Sequence, residues 1–283
     1  MDRRGATTAG PRHFLLAIAY DGAGFHGWQR QKDARTVQGT LEETLAGIVG
    51  QAVTIRGAGR TDAGVHAVDQ KAAFTARTRL RAADVKRALN ALLPDSVRVV
   101  AAEETPFPID PRRTALRKTY VYQFHVGELL PPERRAHFAW AGRELDVEAM
   151  RKAARHLLGE HDFTSFARAE AARRGAVRRI DAVRVRRIPR GVRLFFTGSG
   201  FLYNMVRTLA SALLEVGRGR REPDEIAAIL QARERARAPA TLPAHGLWLW
   251  RVDLDRTRAR PGAARGEDEP IASAELAPPA AAG

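Results

Sequence analysis

Residues 105–126 read TPFPIDPRRTALRKTYVYQFHV, and they divide the chain. Three prolines within 105–111 withhold the backbone donors that a helix or a central strand needs. The segment that follows alternates, so Tyr120, Tyr122 and Phe124 fall on one face of a strand predicted over 117–126. A comparable apolar run, HFLLAIAY at 13–20, opens the chain. The prolines therefore separate two stretches that each begin with a strand.

The order of elements after each opening strand is the same. In the first stretch, TVQGTLEETLAGIVG (36–50) reads as a helix with Thr36 as N-cap, Val37, Leu41, Leu45 and Ile48 inward, and Gly50 as its stop. Strands follow over 52–57 and 67–75, then a helix over 82–93 halted by Pro94, then a strand in SVRVVAAE. In the second stretch, DVEAMRKAARHLLG (146–159) is a helix between Asp146 and Gly159, and strands over 178–188 and 192–198 meet at the turn Pro189-Arg190-Gly191. FLYNMVRTLASALLEVG (201–217) is helical, with a further turn or two after Pro223, and GLWLWRVDL (246–254) is the closing strand. Each half is β-α-β-β-α-β, an α+β order of the ferredoxin-like or RRM-like kind, with an antiparallel sheet and both helices on one face. Two such domains, 12–105 and 106–255, leave a central cleft between them, and spacing leaves open whether their sheets merge. Residues 1–11 and 256–283, rich in Ala, Gly and Pro without periodicity, read as disordered ends.

Composition narrows the chemistry. The chain has 283 residues with 47 Lys plus Arg against 32 Asp plus Glu, a formal charge of +15. Such an excess favours a polyanion, because neutralising phosphates releases counterions; a high-GC bias toward arginine, with no such partner, is the plain alternative. The absence of cysteine excludes disulfides, thiolate-bound metals and thiol nucleophiles, and the eight histidines show no metal-binding spacing, so no metal is expected. The apolar runs are too short to span a bilayer and the first thirty residues hold no signal-like segment, which reads as a cytoplasmic protein without a membrane role.

Against that background GAGRTDAGVHA (57–67) stands out. It lacks the Lys-Ser/Thr of a phosphate loop and has Asp62 where a dinucleotide fingerprint needs its third glycine. One reading is a hairpin loop in which Gly57, Gly59 and Gly64 take positive φ and Asp62 makes a local turn bond. The other is a carboxylate held ionised by Arg60, anchored between two strands and ready as nucleophile or base. A glycosidase would need a second carboxylate, and Asp69 and Asp21 lack the Gly-Arg setting.

Other segments supply partners for an RNA. YDGAGFHGWQRQ (20–31) mixes aromatics with Gln29 and Arg30, as do loops that stack bases or that simply pack on their own domain. RRTALRKTYVYQF (112–124) leads through Arg112, Arg113, Arg117 and Lys118 to Tyr120, the tyrosine nearest that basic entry. In GSGFLYNMVRTLASALLEVG (198–217), Arg207 lies beside the stripe Met205, Leu209, Leu213 and Val216; early in a helix it needs solvent, a phosphate or the Asp62 carboxylate. RAEAARRGAVRR (168–179), with five arginines including Arg178, is a solvated loop or an RNA contact.

These segments, with LLGEHDFTSF (157–166) and HGLWLW (245–250), resemble the tRNA pseudouridine synthase A family from about residue 13 to 254. The resemblance implies the pseudouridine synthase fold with an extended shared sheet and a homodimer that takes one tRNA across both subunits. It implies an isomerase that converts uridine to pseudouridine at positions 38–40 of the anticodon stem-loop, with no cofactor and no metal. It gives Asp62 as nucleophile or base, with Arg60, Tyr120 and Arg207 as catalytic partners. Tyr120, Leu247, Gln29, Arg30, Arg112, Lys118 and Arg178 are the residues expected on the substrate. Arg113 stands where many members carry an aromatic. A catalytically silent RNA-binding protein and an N-glycosidase are the alternatives.

Overall fold

The computed structural model describes residues 10–173 and 175–255. Its elements run β1 (Pro11–Tyr20), α1 (Val37–Val49), β2 (Arg56–Gly57), β3 (His66–Arg77), α2 (Ala82–Leu92), β4 (Val97–Thr105), α3 (Pro111–Thr114), β5 (Ala115–His125), β6 (Ala139–Trp140), α4 (Val147–Arg155), β7 (Gly159–Asp162), α5 (Ala169–Ala172), β8 (Val177–Ile188), β9 (Gly191–Gly198), α6 (Met205–Gly217), α7 (Glu225–Ala232) and β10 (Leu247–Leu254). Most of the tail positions expected to be disordered lie outside the described residues. Pro11 does not: it begins β1 opposite Arg77, as a proline can at the first residue of a strand.

One sheet runs through both halves in the order β4-β1-β3-β10-β5-β9-β8-β7, with β2 beside β3 and β6 beside β5. The halves join where β10 pairs in parallel with β3 through Trp248↔His66 and Leu249↔Ala67; most other neighbours are antiparallel. Helices α1 and α2 pack together on the first half, and α4 and α6 on the second. The core face of the central strands carries Tyr120, Tyr122, Phe124, Leu194, Phe196, Leu247 and Leu249, all buried. The opposite face carries Phe195, Arg193 and Trp250, with the Arg193 guanidinium over the Trp250 ring.

Local chemistry accounts for the boundaries. Thr36 caps α1 by accepting from the Gly39 N–H, and Gly50 ends it at φ 68, as the pattern predicts. The strand expected over 52–57 shrinks to Arg56–Gly57. Val53 and Ile55 are buried, but the Ile55 N–H donates to Glu42 Oε1 (2.9 Å) and its carbonyl accepts from Gln38 Nε2 (3.0 Å). Side chains of α1 thus take the bonds that a ladder would have made. The helix expected from residue 201 begins at Met205, because Asn204 takes the left-handed conformation at φ 64. Gly159 does not end α4 directly; at φ +97 it opens β7.

β3 shares one edge between two strands. His66 and Ala67 pair with β10, whereas Ala72 and Ala73 pair with β2. The sheet therefore parts between β2 and β10, and the chain between Gly57 and His66 hangs at this opening.

Candidate active site

A cleft of about 1200 Å³ fills that opening, lined from the first half by the 57–62 segment and from the second by β5, the 200–204 loop and the start of α6. The loop that carries Asp62 is fixed from behind. Ala58 N–H donates to Lys71 O (2.8 Å), Gln70 Nε2 to Gly59 O (2.8 Å) and Trp28 N–H to Thr61 O (3.0 Å). The Tyr20 hydroxyl shares a buried hydrogen bond with Thr61 Oγ1 at 2.8 Å. Gly27 sits at φ +91, and a Cβ there would stand 2.5 Å from the Thr61 carbonyl oxygen. The 20–28 loop can lie directly under Asp62 only with glycine at this point.

The glycines of the loop work differently from the turn reading. Of the three, Gly64 has the left-handed φ (+76); Gly57 gives room to the Trp28 ring and Gly59 to the Lys118 amine. Nor does the Asp62 carboxylate act as a turn cap. Its Oδ2 lies 3.6 Å from Arg207 Nη1, with the two side chains 20% and 17% exposed. Arg207 is itself aimed by Asn204 Oδ1 (2.9 Å) and the Leu242 carbonyl (2.6 Å). Arg60, expected to hold Asp62, turns away and donates from Nε to Gln29 Oε1 at 3.1 Å. Two residues of separation in an irregular loop do not fix a common direction, so the partner comes from the other half of the chain.

Burial raises the Asp62 pKa above the ordinary aspartate value, and the positive charges of Arg207 and Arg168 pull it partly back. The result is a carboxylate more basic than one in water, kept in place by cations. Tyr120 is buried beside it, with the Phe201 ring edge-on at 5.3 Å. Burial pushes the Tyr120 phenol upward, and interaction with the neighbouring Tyr20 phenol and the Asp62 carboxylate adds to the shift, so the hydroxyl stays protonated at neutral pH. Tyr120 offers a ring surface, whereas a phenolate base would be costly there.

The remaining expected residues divide. Gln29, Arg112, Lys118, Arg178 and Leu247 all line the cleft. Burial, reinforced by the charge of Arg112, lowers the Lys118 ammonium to about 8. Arg178 is tied to the carbonyls of Gly175 and Val177. Arg30 is the exception: it is not among the lining residues, and its guanidinium pairs with the buried Glu42 at 3.2 Å. Arg56, Arg168 and Tyr203 line the cleft without having been singled out as site residues. Arg168 opens the arginine run, but Tyr203 sits inside what reads as a helix, where an aromatic signals core.

Among the described residues, Asp21, His66 and His137 bring three possible metal-ligating atoms within 4.8 Å. Their atoms are already engaged. His66 Nδ1 is 3.0 Å from Asp21 Oδ1 and receives the Gly22 N–H, His66 Nε2 faces the His245 carbonyl at 3.1 Å, and His137 Nε2 is 3.2 Å from Asp21 Oδ2. None of the three lines the cleft, and their contacts tie the first half to the second.

A family model described as tRNA pseudouridine synthase matches residues 16–109 and 153–255. The tRNA pseudouridine synthase A of Caldicellulosiruptor bescii is 37% identical over 84% of this chain and 98% of its own length. That of Thermotoga neapolitana is 41% identical over 85% of this chain and 99% of its own. Among solved structures, an archaeal box H/ACA sRNP Nop10-Cbf5 complex aligns with a TM-score of 0.30 at 14% identity, over 71% of this chain and 44% of that one. By the family model and by the curated relatives matched over nearly their whole length, the chain belongs to the tRNA pseudouridine synthase family and is an isomerase.

Proposed function

We propose that the chain isomerises uridine to pseudouridine at positions 38–40 of the tRNA anticodon stem-loop, with Asp62 as the reacting group and without cofactor or metal, as a cytoplasmic homodimer. The observation that carries this reading is the half-buried Asp62–Arg207 pair on the wall of a cationic cleft, beside the ring of Tyr120. In the reaction the N1–C1′ bond breaks, the uracil turns over, and a C5–C1′ bond forms. The C5 proton leaves and N1 regains one, so no water is consumed and no second hydrolytic carboxylate is needed. The lining holds two other carboxylates: Asp110, which pairs with Arg56 (3.6 Å) and caps α3, and the exposed Glu170.

Asp62 acts on the sugar, either by attack on C1′ or by removing the C2′ proton. Arg207 holds it, and Tyr120 keeps the freed uracil stacked while it rotates. A paired uridine must leave its stem first, at a cost of a few kcal/mol that is least near a loop. Arg56, Arg60, Arg112 and Lys118 offset that cost through the phosphates.

The test uses tRNA labelled with tritium at uridine C5. The isomerase releases tritium to water, a silent RNA-binding protein releases none, and an N-glycosidase releases free base. Asp62→Asn is expected to abolish release, by about a thousandfold or more, with tRNA affinity nearly unchanged. Turnover retained in that variant refutes the assignment.

A further inference from the structure

Two residues of the cleft have been given no contact with the RNA above, and they touch each other. Tyr203 lines the cleft yet remains 46% exposed, one of few large hydrophobic side chains left so open. The Arg168 guanidinium carbon lies 5.3 Å from the ring centroid, over one face. The Arg168 N–H donates to the Tyr203 carbonyl at 3.4 Å, which ties the 168 segment to the loop before α6. Arg168 is also near enough to Asp62 for its charge to stabilise the carboxylate. From the carboxylate outward the order is thus Asp62, Arg168, Tyr203.

We infer that Arg168 and Tyr203 form a second nucleotide subsite, in which the base next to the reacting uridine stacks on Tyr203 and the phosphate between the two nucleotides meets Arg168. The inference rests on the RNA-modifying function proposed above. Tyr120, buried and packed in a T-shaped contact with Phe201, belongs to the reacting base. A flipped nucleotide drags its neighbour toward the cleft mouth, where an exposed ring backed by a guanidinium is a sequence-tolerant stacking platform. The αL turn at Asn204 holds the platform there. Had the helix begun at Phe201, as its apolar pattern suggests, Tyr203 would be in its first turn instead of on a loop.

The subsite is tested with an anticodon stem-loop carrying 2-aminopurine on either side of the target uridine, bound to the Asp62→Asn protein so that no turnover intervenes. Binding is expected to quench the fluorophore at one of the two positions. Tyr203→Ala in that background should restore its emission and weaken binding roughly tenfold, while Tyr203→Phe should keep both quench and affinity. Arg168→Gln should weaken binding and flatten its salt dependence by about one phosphate contact. Quenching that survives Tyr203→Ala, or no quenching at either position, overturns the subsite. Tritium release by the unmodified protein is scored separately, so release without quenching removes the subsite alone, and the loss of both release and RNA binding removes the parent reading too.

Discussion

The two halves share one topology, and the same step of it ends differently in each. In the second half β8 and β9 pair through to Ile188↔Gly191, leaving only Pro189 and Arg190 to turn the chain, with Arg190 at φ 52. In the first half the corresponding strands, β2 and β3, pair at just two positions, Arg56↔Ala73 and Gly57↔Ala72. Before that short ladder Gln38 and Glu42 take up the Ile55 backbone groups, and just beyond it Gln70 holds the Gly59 carbonyl. A closed hairpin turn spends its backbone on itself and has no room for a reactive side chain. An open one, held from behind, can present Asp62 to a cleft while its countercharge arrives from α6 in the other half.

The comparison can be broken most severely at that countercharge. Arg207→Met leaves a buried carboxylate without its nearest cation, so the Asp62 pKa, already raised by burial, rises further. In the proposed mechanism the ionised form is the active one, so the acid limb of the pH–rate profile should move to higher pH, and kcat should fall by about a hundredfold. A profile that stays in place would show that Asp62 does not depend on the second half.

A smaller effect sharpens the contrast from the side of β5. Lys118 titrates near 8 in the free protein, held down first by burial and then by Arg112. Between about 8 and the usual lysine range the unfolded chain binds the extra proton, so stability from this group rises with pH across that window. Binding an RNA phosphate favours the charged form, so tRNA affinity should decline as pH rises through about 8. Lys118→Arg should remove that decline in a binding titration, and Lys118→Met should lower affinity at pH 7 by roughly fivefold. An unmodified protein with pH-independent binding from 7 to 9 would place the amine away from the RNA.

The smallest effect is expected at the closed turn. Arg190→Gly relieves a left-handed φ but loosens the unfolded chain, two terms that nearly cancel. Thermal and denaturant unfolding should change by no more than about 0.5 kcal/mol, with tritium release within about twofold of the parent. A large loss of activity there would mean that the second hairpin communicates with the cleft, and that the two turns are less different than their ladders suggest.

Much of this was legible in the linear chain. Periodicity located β1, α1, α2, β5, α4, β8, β9 and β10 because each buries one face, and burial writes itself into alternation or into a helical stripe. Asp62, Tyr120 and Leu247 were legible through a specific set of motifs, and all three line the cleft. The misplacements share a cause. Val53 and Ile55 alternate like a strand because they are buried, but their backbone bonds go to α1. Phe201 and Leu202 extend the stripe of α6, but one left-handed residue, Asn204, cuts them from the helix. Arg30 pairs with Glu42 outside the cleft lining, a placement that its position in the 20–31 loop does not reveal.

By itself the sequence determined the repeated α+β halves and the excess of positive charge, and it singled out the Asp62 loop, since these depend on residue type and on spacing along the chain. Only the tertiary structure decided that the two sheets fuse through β3 and β10, that Arg207 and not Arg60 meets Asp62, and that Arg168 and Tyr203 face the same cleft. A charge interacts through distance in space and through the depth of its burial. Neither is set by separation in sequence once the chain leaves regular structure, and the loop around Asp62 is where it does so.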